Sequence, residues 1–395
     1  MLGSFDLDKT YQYLLISLAF LMPLTVSIAN TIIVIICFLW IFSGDYKAKY
    51  NQIMSSKLMI ASMVFYCLHV IGMLWTEDLR WGLHILHKMW YFLLFLPILF
   101  NIVQRKYINY YLSAFLLAIA LTEIASYLVW FEIIPPFRHA TVENPTPFMS
   151  HISYNPILVF AIYIVTHEIL FNKELTKFKF SLYSFLMISM SINMFITGGR
   201  AGQIMFFAML TILIFQFFNY KKAKSLLTVV LLIPLIFFTA YKTSDLFHQR
   251  VDKTIDSVIN YSYSDINQTS LGLRITFVVN SWNIIKENPI IGAGTGDFPI
   301  EYSRAALHSR PIVENPHNMY ILILVELGSV GLFSMLSIFY YQIKLSFRAS
   351  NKFIKDLGIT LPLLFLVSMW SDAYLLGHYT GLLFVFFNSF LYKDY

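Results

Sequence analysis

The sequence predicts an all-α polytopic membrane protein with about twelve transmembrane helices and one large, partly helical loop. Of its 395 residues, 58% are hydrophobic and only 13% are charged, so a soluble globular domain is excluded. Apolar runs of about 20 residues, the length that crosses a bilayer, recur from Tyr11 to Tyr392. Short segments rich in Lys and Arg separate them in alternation, as is typical of cytoplasmic loops.

The apolar runs form an ordered series of predicted spans. A cleavable signal peptide ending at Ser27-Ile28-Ala29 is the alternative for the first run, but apolar sequence resumes immediately after it. The predicted spans lie near 11–25, 28–43, 58–75, 84–103, 108–131, 153–171, 180–197, 202–218, a ninth ending at Tyr241, 317–342, 358–374 and 379–392.

The basic loops predict the orientation. They place both termini in the cytoplasm and the long hydrophilic segment 242–316 on the opposite face, which in a bacterium is the periplasm. Three regions follow: 1–241 with nine helices, 242–316 as the periplasmic loop, and 317–395 with three helices. This topology explains the net charge of +6, so the charge does not indicate nucleic-acid binding. Cys37 and Cys67 lie in apolar runs and indicate neither a disulfide nor a metal site.

The long loop contains two predicted helices and a glycine-rich turn. A second helix is expected over Leu271–Glu287, ended by Asn288-Pro289. The glycine-rich run 290–298 lacks the strand before it that a nucleotide-binding fingerprint needs, so we interpret it as a structural turn. The first helix is amphipathic and favours the membrane surface over a partner-binding role; its apolar face carries Val251, Ile255, Val258 and Ile259.

The stretch Asn315-Pro316-His317-Asn318 opens the tenth predicted span. Asn315 can cap a helix and Pro316 suits its first turn, which would put His317 and Asn318 in the opening turn at the water boundary. The positive end of a helix disfavours an imidazolium, favours a neutral imidazole that accepts a proton, and attracts anions. The stretch therefore predicts a base beside an anion site.

Cations on the outer face have no topological explanation and are candidate ligand-binding groups. Arg200 lies in the tight hairpin 198–202, whose glycines permit close approach to a ligand; the alternative is a snorkelling arginine at a helix end. Lys88 lies within a predicted span, where a charge usually faces a cavity. Neighbouring His84 and His87 form only a weak metal-site candidate, because no acidic third ligand is placed nearby.

Further outer cations are weak individually and informative together. Arg274, taken alone, is more often solvated, and Arg138 with His139 follows a Pro-Pro turn. Several cations with few acids on one face suit a phosphorylated substrate, and we expect Arg310 and Asn318 to contact its phosphates. No outer carboxylate cluster indicates a metal, so the predicted catalysis is metal-independent and uses no cofactor. The run just before His317 adds Arg304, His308 and Arg310.

These motifs resemble the O-antigen ligase and polymerase superfamily of bacterial envelope glycosyltransferases. The resemblance covers the whole layout, and its most specific part is Arg274 to Leu332, with the hairpin 199–202 also matching. The matching motifs are Arg274, Trp282, Asn288-Pro289-Ile290-Ile291-Gly292-Ala293-Gly294, Pro316-His317-Asn318-Met319-Tyr320, Glu326-Leu327-Gly328 and Gly331-Leu332.

The resemblance implies a GT-C-like architecture in the inner membrane with the site facing the periplasm. It implies that Arg200 and Arg274 bind the diphosphate of an undecaprenyl-linked glycan and that His317 is the catalytic base, with Lys88 and Arg138 as further cations. A single base and direct displacement predict inversion at the anomeric carbon. The expected activity is O-antigen ligase with a lipid A–core acceptor; a polymerase or a protein-glycosylating ligase is the alternative within the class. A non-enzymatic glycan flippase is the competing class, although it would place cations along a path through the membrane.

Overall fold

The computed structural model describes residues 6–259, 270–306 and 313–393, and these are almost entirely helical. The predicted all-α class is therefore confirmed for this part of the chain. A π-helical turn, Tyr91–Phe95, joins α5 to α6, and a 3-10 turn, Arg105–Tyr107, leads into α7. The α-helices are α1 (Leu7–Leu21), α2 (Val26–Phe42), α3 (Tyr46–Ser55), α4 (Lys57–Gly72), α5 (Leu79–Trp90), α6 (Leu96–Ile102), α7 (Ile108–Trp130), α8 (His151–Phe171), α9 (Lys177–Ile196), α10 (Arg200–Phe217), α11 (Lys222–Thr243), α12 (Asp245–Ile259), α13 (Ser270–Glu287), α14 (Phe298–Ala305), α15 (Met319–Ser346), α16 (Lys352–Ser368) and α17 (His378–Leu391).

The long apolar helices are those of a multi-pass membrane protein, but the predicted count of twelve spans is not confirmed. A helix overlaps each predicted span, yet in the described ranges only seven are long and apolar enough to cross a membrane, or eight if the bent pair α2 and α3 counts as one span. The chain bends by 117° between α2 and α3. Several others are short: the 15 residues of α1 extend only about 22 Å, less than the apolar thickness of about 30 Å.

Helix α8 forms the centre of the bundle and α11 its edge. In the most apolar window of α8, 72% is buried, and the helix packs against α9, α10 and α16. Only 11% of the corresponding window of α11 is buried, and this helix contacts mainly α10 and α12. One side of α11 is therefore left to face lipid.

The glycine-rich run after α13 pairs with a break in α15. Gly328 interrupts α15 with a φ of +60°. The amides of Ala293 and Gly294 donate to the carbonyls of Val325 and Glu326 at 2.8 and 3.0 Å. In return, the amide of Ser329 donates to the carbonyl of Pro289 at 2.9 Å. The glycine-rich run thus supplies hydrogen-bond partners for backbone groups that the break in α15 leaves unpaired within the helix. This confirms the interpretation of the run as a structural turn.

Asp297 fixes the loop between α4 and α5 against the start of α14. Its carboxylate accepts hydrogen bonds from the amides of Glu77 and Asp78, each at 2.9 Å, and from the Thr76 hydroxyl at 3.0 Å. Arg304, at the end of α14, forms ion pairs with Glu77 at 2.6 Å and with Glu301 at 2.5 Å. These contacts join the loop before α5 to α14, and α14 in turn contacts α13 and α15, the helix that follows His317.

Candidate active site

His317 faces a carboxylate from the segment between α16 and α17. Its Nδ1 lies 3.2 Å from Oδ2 of Asp372, and the two side chains are 43% and 15% exposed. Asn315 donates its side-chain N–H to the other carboxylate oxygen at 2.8 Å, and the Ala373 amide donates to the same oxygen at 2.7 Å. With Nδ1–H bound to Asp372, a neutral His317 presents the lone pair of Nε2 to any ligand in front of it.

The start of α15 differs from the sequence prediction. The cap is Asn318, not Asn315: its side-chain oxygen accepts from the amides of Tyr320 and Ile321 at 3.0 and 3.2 Å. Asn315 instead accepts from the His317 amide at 2.9 Å. His317 precedes the helix and has a φ of +52°. This left-handed conformation is costly for a residue with a Cβ, and the two asparagines and Asp372 hold it in place.

Asp372 is held as a carboxylate. Burial acts to raise its pKa, but the hydrogen bond and charge of His317, the Ala373 amide and Asn315 together bring the pKa below its ordinary value of 3.8. A carboxylate accepting hydrogen bonds from three groups favours its ionised form. Asp372 can therefore orient the imidazole and stabilise the positive charge that would form if His317 took a proton.

Three arginines form a second half of the site. Arg200 begins α10 and donates to the Thr254 hydroxyl at 2.9 Å, while Arg274 lies close enough to act on Arg200 electrostatically. Arg250, from α12, completes the cluster: burial lowers the pKa of its guanidinium, and the neighbouring Arg200 lowers it further. Like charges held together are unfavourable unless an anion joins them, so the arginine cluster of Arg200, Arg250 and Arg274 suits a polyanionic ligand.

The glycine hairpin makes room for this cluster. A Cβ at Gly198 would lie 2.6 Å from Nη2 of Arg250, and a Cβ at Gly199 would lie 2.7 Å from the side-chain nitrogen of Asn155. The Gly198 amide donates to Asn144 at 2.9 Å, and Asn155 donates to the Gly198 carbonyl at 3.2 Å. The glycines were predicted to permit close approach of a ligand. In the structure, the side chains of Arg250 and Asn155 lie close to them instead.

Helix α13 links the arginine cluster to His317. Phe277, one turn after Arg274, has its ring centroid 6.1 Å from that of His317. Tyr374, two residues after Asp372, is influenced by both halves of the site. Its pKa is raised to about 12, mainly by burial; Asp372 also acts to raise it, and Arg274 acts to lower it. The His317–Asp372 pair and the arginine cluster thus share one end of the helical bundle.

The remaining predicted residues lie in several environments. Lys88 is half-buried and, with Glu314, close enough to act electrostatically on His84. Arg138 lies 5.5 Å from the centre of the Phe148 ring and acts electrostatically on Tyr379, the second residue of α17. Asn318 is buried with its oxygen engaged as the helix cap, and Arg310 lies outside the described residues. Contact of any of these residues with substrate phosphates stays a prediction.

Two functional candidates were missed by sequence reasoning. Asp372 fell inside the predicted span 358–374, whereas α16 ends at Ser368 and leaves it in a connecting segment. An acid within an apolar run usually faces a cavity, and this was the available signal. Arg250 lies on the amphipathic helix of the long loop, four residues before Thr254, which places both on one helical face beside Arg200.

Comparison with known proteins finds one matching family model and one similar protein. Residues 185–336 match the family model described as O-Antigen ligase, a range that includes the arginine cluster and His317 but not Asp372. The chain is also similar to an uncharacterized protein of Haemophilus influenzae, with 27% identity over 263 residues. That alignment covers 62% of this chain and 64% of the relative, which is less than two thirds of the relative's length.

Members of the matched family are glycosyltransferase-like enzymes that use lipid-linked glycans and lipid acceptors in general. The match lies where the sequence motifs are densest, from α9 through the first part of α15. It confirms the resemblance of this multi-pass membrane protein to the O-antigen ligase and polymerase superfamily.

Proposed function

We propose that this protein is an O-antigen ligase. It transfers a preassembled glycan from undecaprenyl diphosphate to a sugar of the lipid A core, on the periplasmic face of the inner membrane. The observation that carries this proposal is the pairing of His317 with Asp372 at 3.2 Å beside three clustered arginines. A proton acceptor and a polyanion site at one end of a membrane bundle are what glycosyl transfer from a lipid diphosphate requires.

The arginine cluster acts on the leaving group. When the anomeric C–O bond to the diphosphate breaks, its electron pair stays on the diphosphate oxygen and the negative charge there increases. Guanidinium groups bind phosphate oxygens with two parallel hydrogen bonds, so Arg200, Arg250 and Arg274 stabilise this charge as it develops. A diphosphate stabilised in this way leaves without protonation, and the proposed reaction needs neither a general acid nor a metal.

His317 acts on the nucleophile. A sugar hydroxyl of the acceptor attacks the anomeric carbon from the side opposite the diphosphate, and its proton passes to Nε2 of His317. Asp372 stabilises the resulting imidazolium through Nδ1–H. One displacement with one base inverts the anomeric configuration. The proton then leaves to water, which restores the neutral imidazole for the next turnover.

A cavity between membrane helices, next to the arginine cluster, could hold the lipid chain of the donor. It has a volume of about 1140 Å³ and lies among α8, α9, α10, α11 and the start of α12. Gln249 borders it at one end, directly before Arg250, and aliphatic side chains such as Leu213 and Leu232 line it further on. An undecaprenyl chain placed there would keep its diphosphate at the arginine cluster and its hydrocarbon beside the lipid-facing helix α11.

The alternatives differ in acceptor or in class. A polymerase of the same superfamily would use a second lipid-linked repeat unit as acceptor, and a protein-glycosylating ligase would use a side-chain hydroxyl. A flippase would move the glycan without forming a bond. The cation cluster at one end of the bundle favours an enzyme over a flippase, since transport would need polar groups along the whole path.

The decisive experiment uses purified full-length protein in detergent with a chelator present. An undecaprenyl-diphosphate glycan is supplied, and lipid A–core is added to one tube and omitted from the other. Transfer only with lipid A–core, lost in His317→Ala, supports a metal-independent ligase with this base. Longer lipid-linked chains without lipid A–core would make the protein a polymerase.

Three further outcomes contradict all or part of the proposal. Absence of bond formation in both tubes, together with glycan translocation in proteoliposomes, would identify a transporter. Transfer that persists in His317→Ala would remove the base assignment while keeping the enzyme class. Retention of anomeric configuration in the product would exclude the single displacement.

A further inference from the structure

The end of the bundle opposite His317 contains a second polar cavity. Helix α8 is about 30 Å long and connects the two ends, with His151 near Arg250 and His167 at the far cavity. The far cavity has a volume of about 400 Å³, within the usual range of small-molecule sites. It lies where α7 and α16 begin and α8 ends, and it takes no part in the proposed transfer.

The floor of this cavity is a buried hydrogen-bonded group. Nε2 of His167 lies 3.0 Å from Oδ2 of Asp356, and both side chains are nearly inaccessible. Lys352 binds the same carboxylate oxygen at 2.8 Å. With Nε2–H donated to Asp356, the neutral imidazole leaves Nδ1 as an acceptor, and Nδ1 is buried without a hydrogen-bond partner in the described part of the chain.

The rim carries both signs of charge. Arg105 and Lys352 line one part, and Glu168 lines another, where its carboxylate accepts from Asn172 at 2.7 Å. A carboxylate has about four acceptor sites, so one amide donor leaves capacity for a further donor. Glu168 would repel a ligand that carries only negative charge. Arg105 and Lys352 would repel a ligand that carries only positive charge. A zwitterion places an opposite charge beside each of the three groups.

Apolar side chains place the cavity at the membrane boundary. Phe171, Phe353 and Ile354 line it beside the polar groups, and Lys352 lies 4.2 Å from the centre of the Phe171 ring. The basic residues Lys173, Lys177 and Lys355 flank the same end of the bundle in the sequence. Polar head groups and apolar chains meet at such a boundary, so a phospholipid can reach this cavity by its head group.

We propose that this cavity binds the phosphoethanolamine head group of a phospholipid. The phosphate lies at Arg105 and Lys352, and the primary ammonium donates hydrogen bonds to Glu168 and to Nδ1 of His167. A quaternary ammonium has no N–H to donate, so a choline head group cannot make the second set of contacts. A glycerol head group lacks the positive charge that Glu168 requires.

The test is native mass spectrometry of the delipidated full-length protein in detergent, with short-chain phosphatidylethanolamine, phosphatidylcholine or phosphatidylglycerol added. We expect the largest bound fraction with phosphatidylethanolamine. Glu168→Gln should remove this preference over phosphatidylcholine, and Arg105→Gln should lower binding of every phospholipid. The matched control is Glu174→Gln, an exposed acid six residues along the chain that does not line the cavity; it should keep the preference.

Free phosphoethanolamine is the second probe. Its competition against the lipid supports head-group recognition. Equal binding of the three phospholipids by the unmodified protein, or an unchanged preference in Glu168→Gln, overturns the proposal. Unfolding temperatures of the variants show that they are folded. Glycan transfer is not the readout, so failure of this proposal is distinct from failure of the proposed function.

Discussion

Two histidine–carboxylate pairs lie at opposite ends of the same bundle, and they differ in access. His317 and Asp372 are 3.2 Å apart with 43% and 15% of their side chains exposed, whereas His167 and Asp356 are 3.0 Å apart with only 2% and 3% exposed. The first pair uses Nδ1 and leaves Nε2 open, while the second uses Nε2 and buries Nδ1. The same two residue types therefore form a partly exposed pair at one end of the bundle and a buried pair at the other.

The neighbours of each pair sharpen this difference. Asp356 shares its carboxylate with Lys352, so the charge of this pair is already balanced within the protein. In the part of the chain that the structure describes, Asp372 accepts from His317, the Ala373 amide and Asn315, and the nearby cations belong to the arginine cluster. A pair whose carboxylate is shared with a lysine stabilises the fold, whereas a pair beside a cluster of arginines can act on a bound anion.

The largest expected effect is that of His317→Ala. Loss of a general base typically costs about 10²- to 10⁴-fold in rate, so transfer to lipid A–core should fall by this amount while donor binding is kept. The control is His248→Ala, because His248 is 45% exposed and also lies 3.0 Å from a carboxylate, that of Asp252. Initial rates at saturating donor measure the effect. Equal losses in both variants would contradict a special role for His317.

The second effect is that of Arg250→Gln, at the arginine that sequence reasoning missed. Removing one donor to a developing oxyanion costs on the order of 10²- to 10³-fold, and we expect a fall in this range with weaker donor binding. Arg250→Lys should keep part of the activity, because lysine retains the charge but not the paired hydrogen bonds. Arg348→Gln, an exposed cation at the other end of α15, is the control. Unchanged kcat and KM in Arg250→Gln would exclude Arg250 from the site.

Asp372→Asn should reduce transfer less than His317→Ala, by about 10- to 100-fold, as is typical when the partner that orients a functional histidine is lost. It should also change the pH dependence of stability. Since the pKa of Asp372 is below 3.8 in the folded protein, its contribution is present above 3.8 and lost as the pH falls through the folded value.

This prediction is measured by unfolding temperatures of the unmodified protein and Asp372→Asn across an acid titration. The gap between them should be widest above pH 3.8 and should narrow below it. Asp8→Asn, which removes an exposed carboxyl of α1, should not reproduce that pattern. A gap that stays constant with pH would show that the hydrogen bonds of Asp372 do not favour its ionised form.

The smallest expected effect is a difference in stability between alanine substitutions at two glycines with nearly the same backbone φ. Gly292 and Gly44 have φ values of +72° and +71°, but a Cβ at Gly292 would lie 2.4 Å from the backbone of α15, whereas Gly44 has nothing within 4 Å. Gly44→Ala should cost only backbone strain, about 1 kcal/mol. Gly292→Ala should cost roughly 1–3 kcal/mol more, because the run around it must move away from α15.

Denaturant titration of the two variants in detergent measures this difference. Equal destabilisation would show that the docking of the glycine-rich run onto α15 contributes nothing beyond local strain. A loss of transfer in Gly292→Ala at temperatures where the protein stays folded would show that this docking also positions the segment leading to His317.

The sequence by itself determined the membrane class and the approximate positions of the helices, and it singled out His317, Arg200 and Arg274 as candidate site residues. Long apolar runs leave a chain no soluble alternative, and outer-face cations such as Arg200 and Arg274 stand out because topology does not explain them. His317 stands out because it follows Asn315-Pro316 at the start of a span. These are local features, which a pattern along the chain can carry.

Only the tertiary structure decided which side chains meet. Asp372 lies 55 residues from His317 along the chain, and no local pattern indicates that its carboxylate reaches the imidazole. Arg250 joins the arginine cluster because α12 folds back over the glycine hairpin, and Asn318 becomes the helix cap because Asn315 is engaged with His317 and Asp372. Spacing along a helix is fixed by the backbone, whereas contacts between distant segments depend on how all the helices pack. This is why His317, Arg200 and Arg274 could be singled out individually as candidates, whereas their partners Asp372 and Arg250 could not.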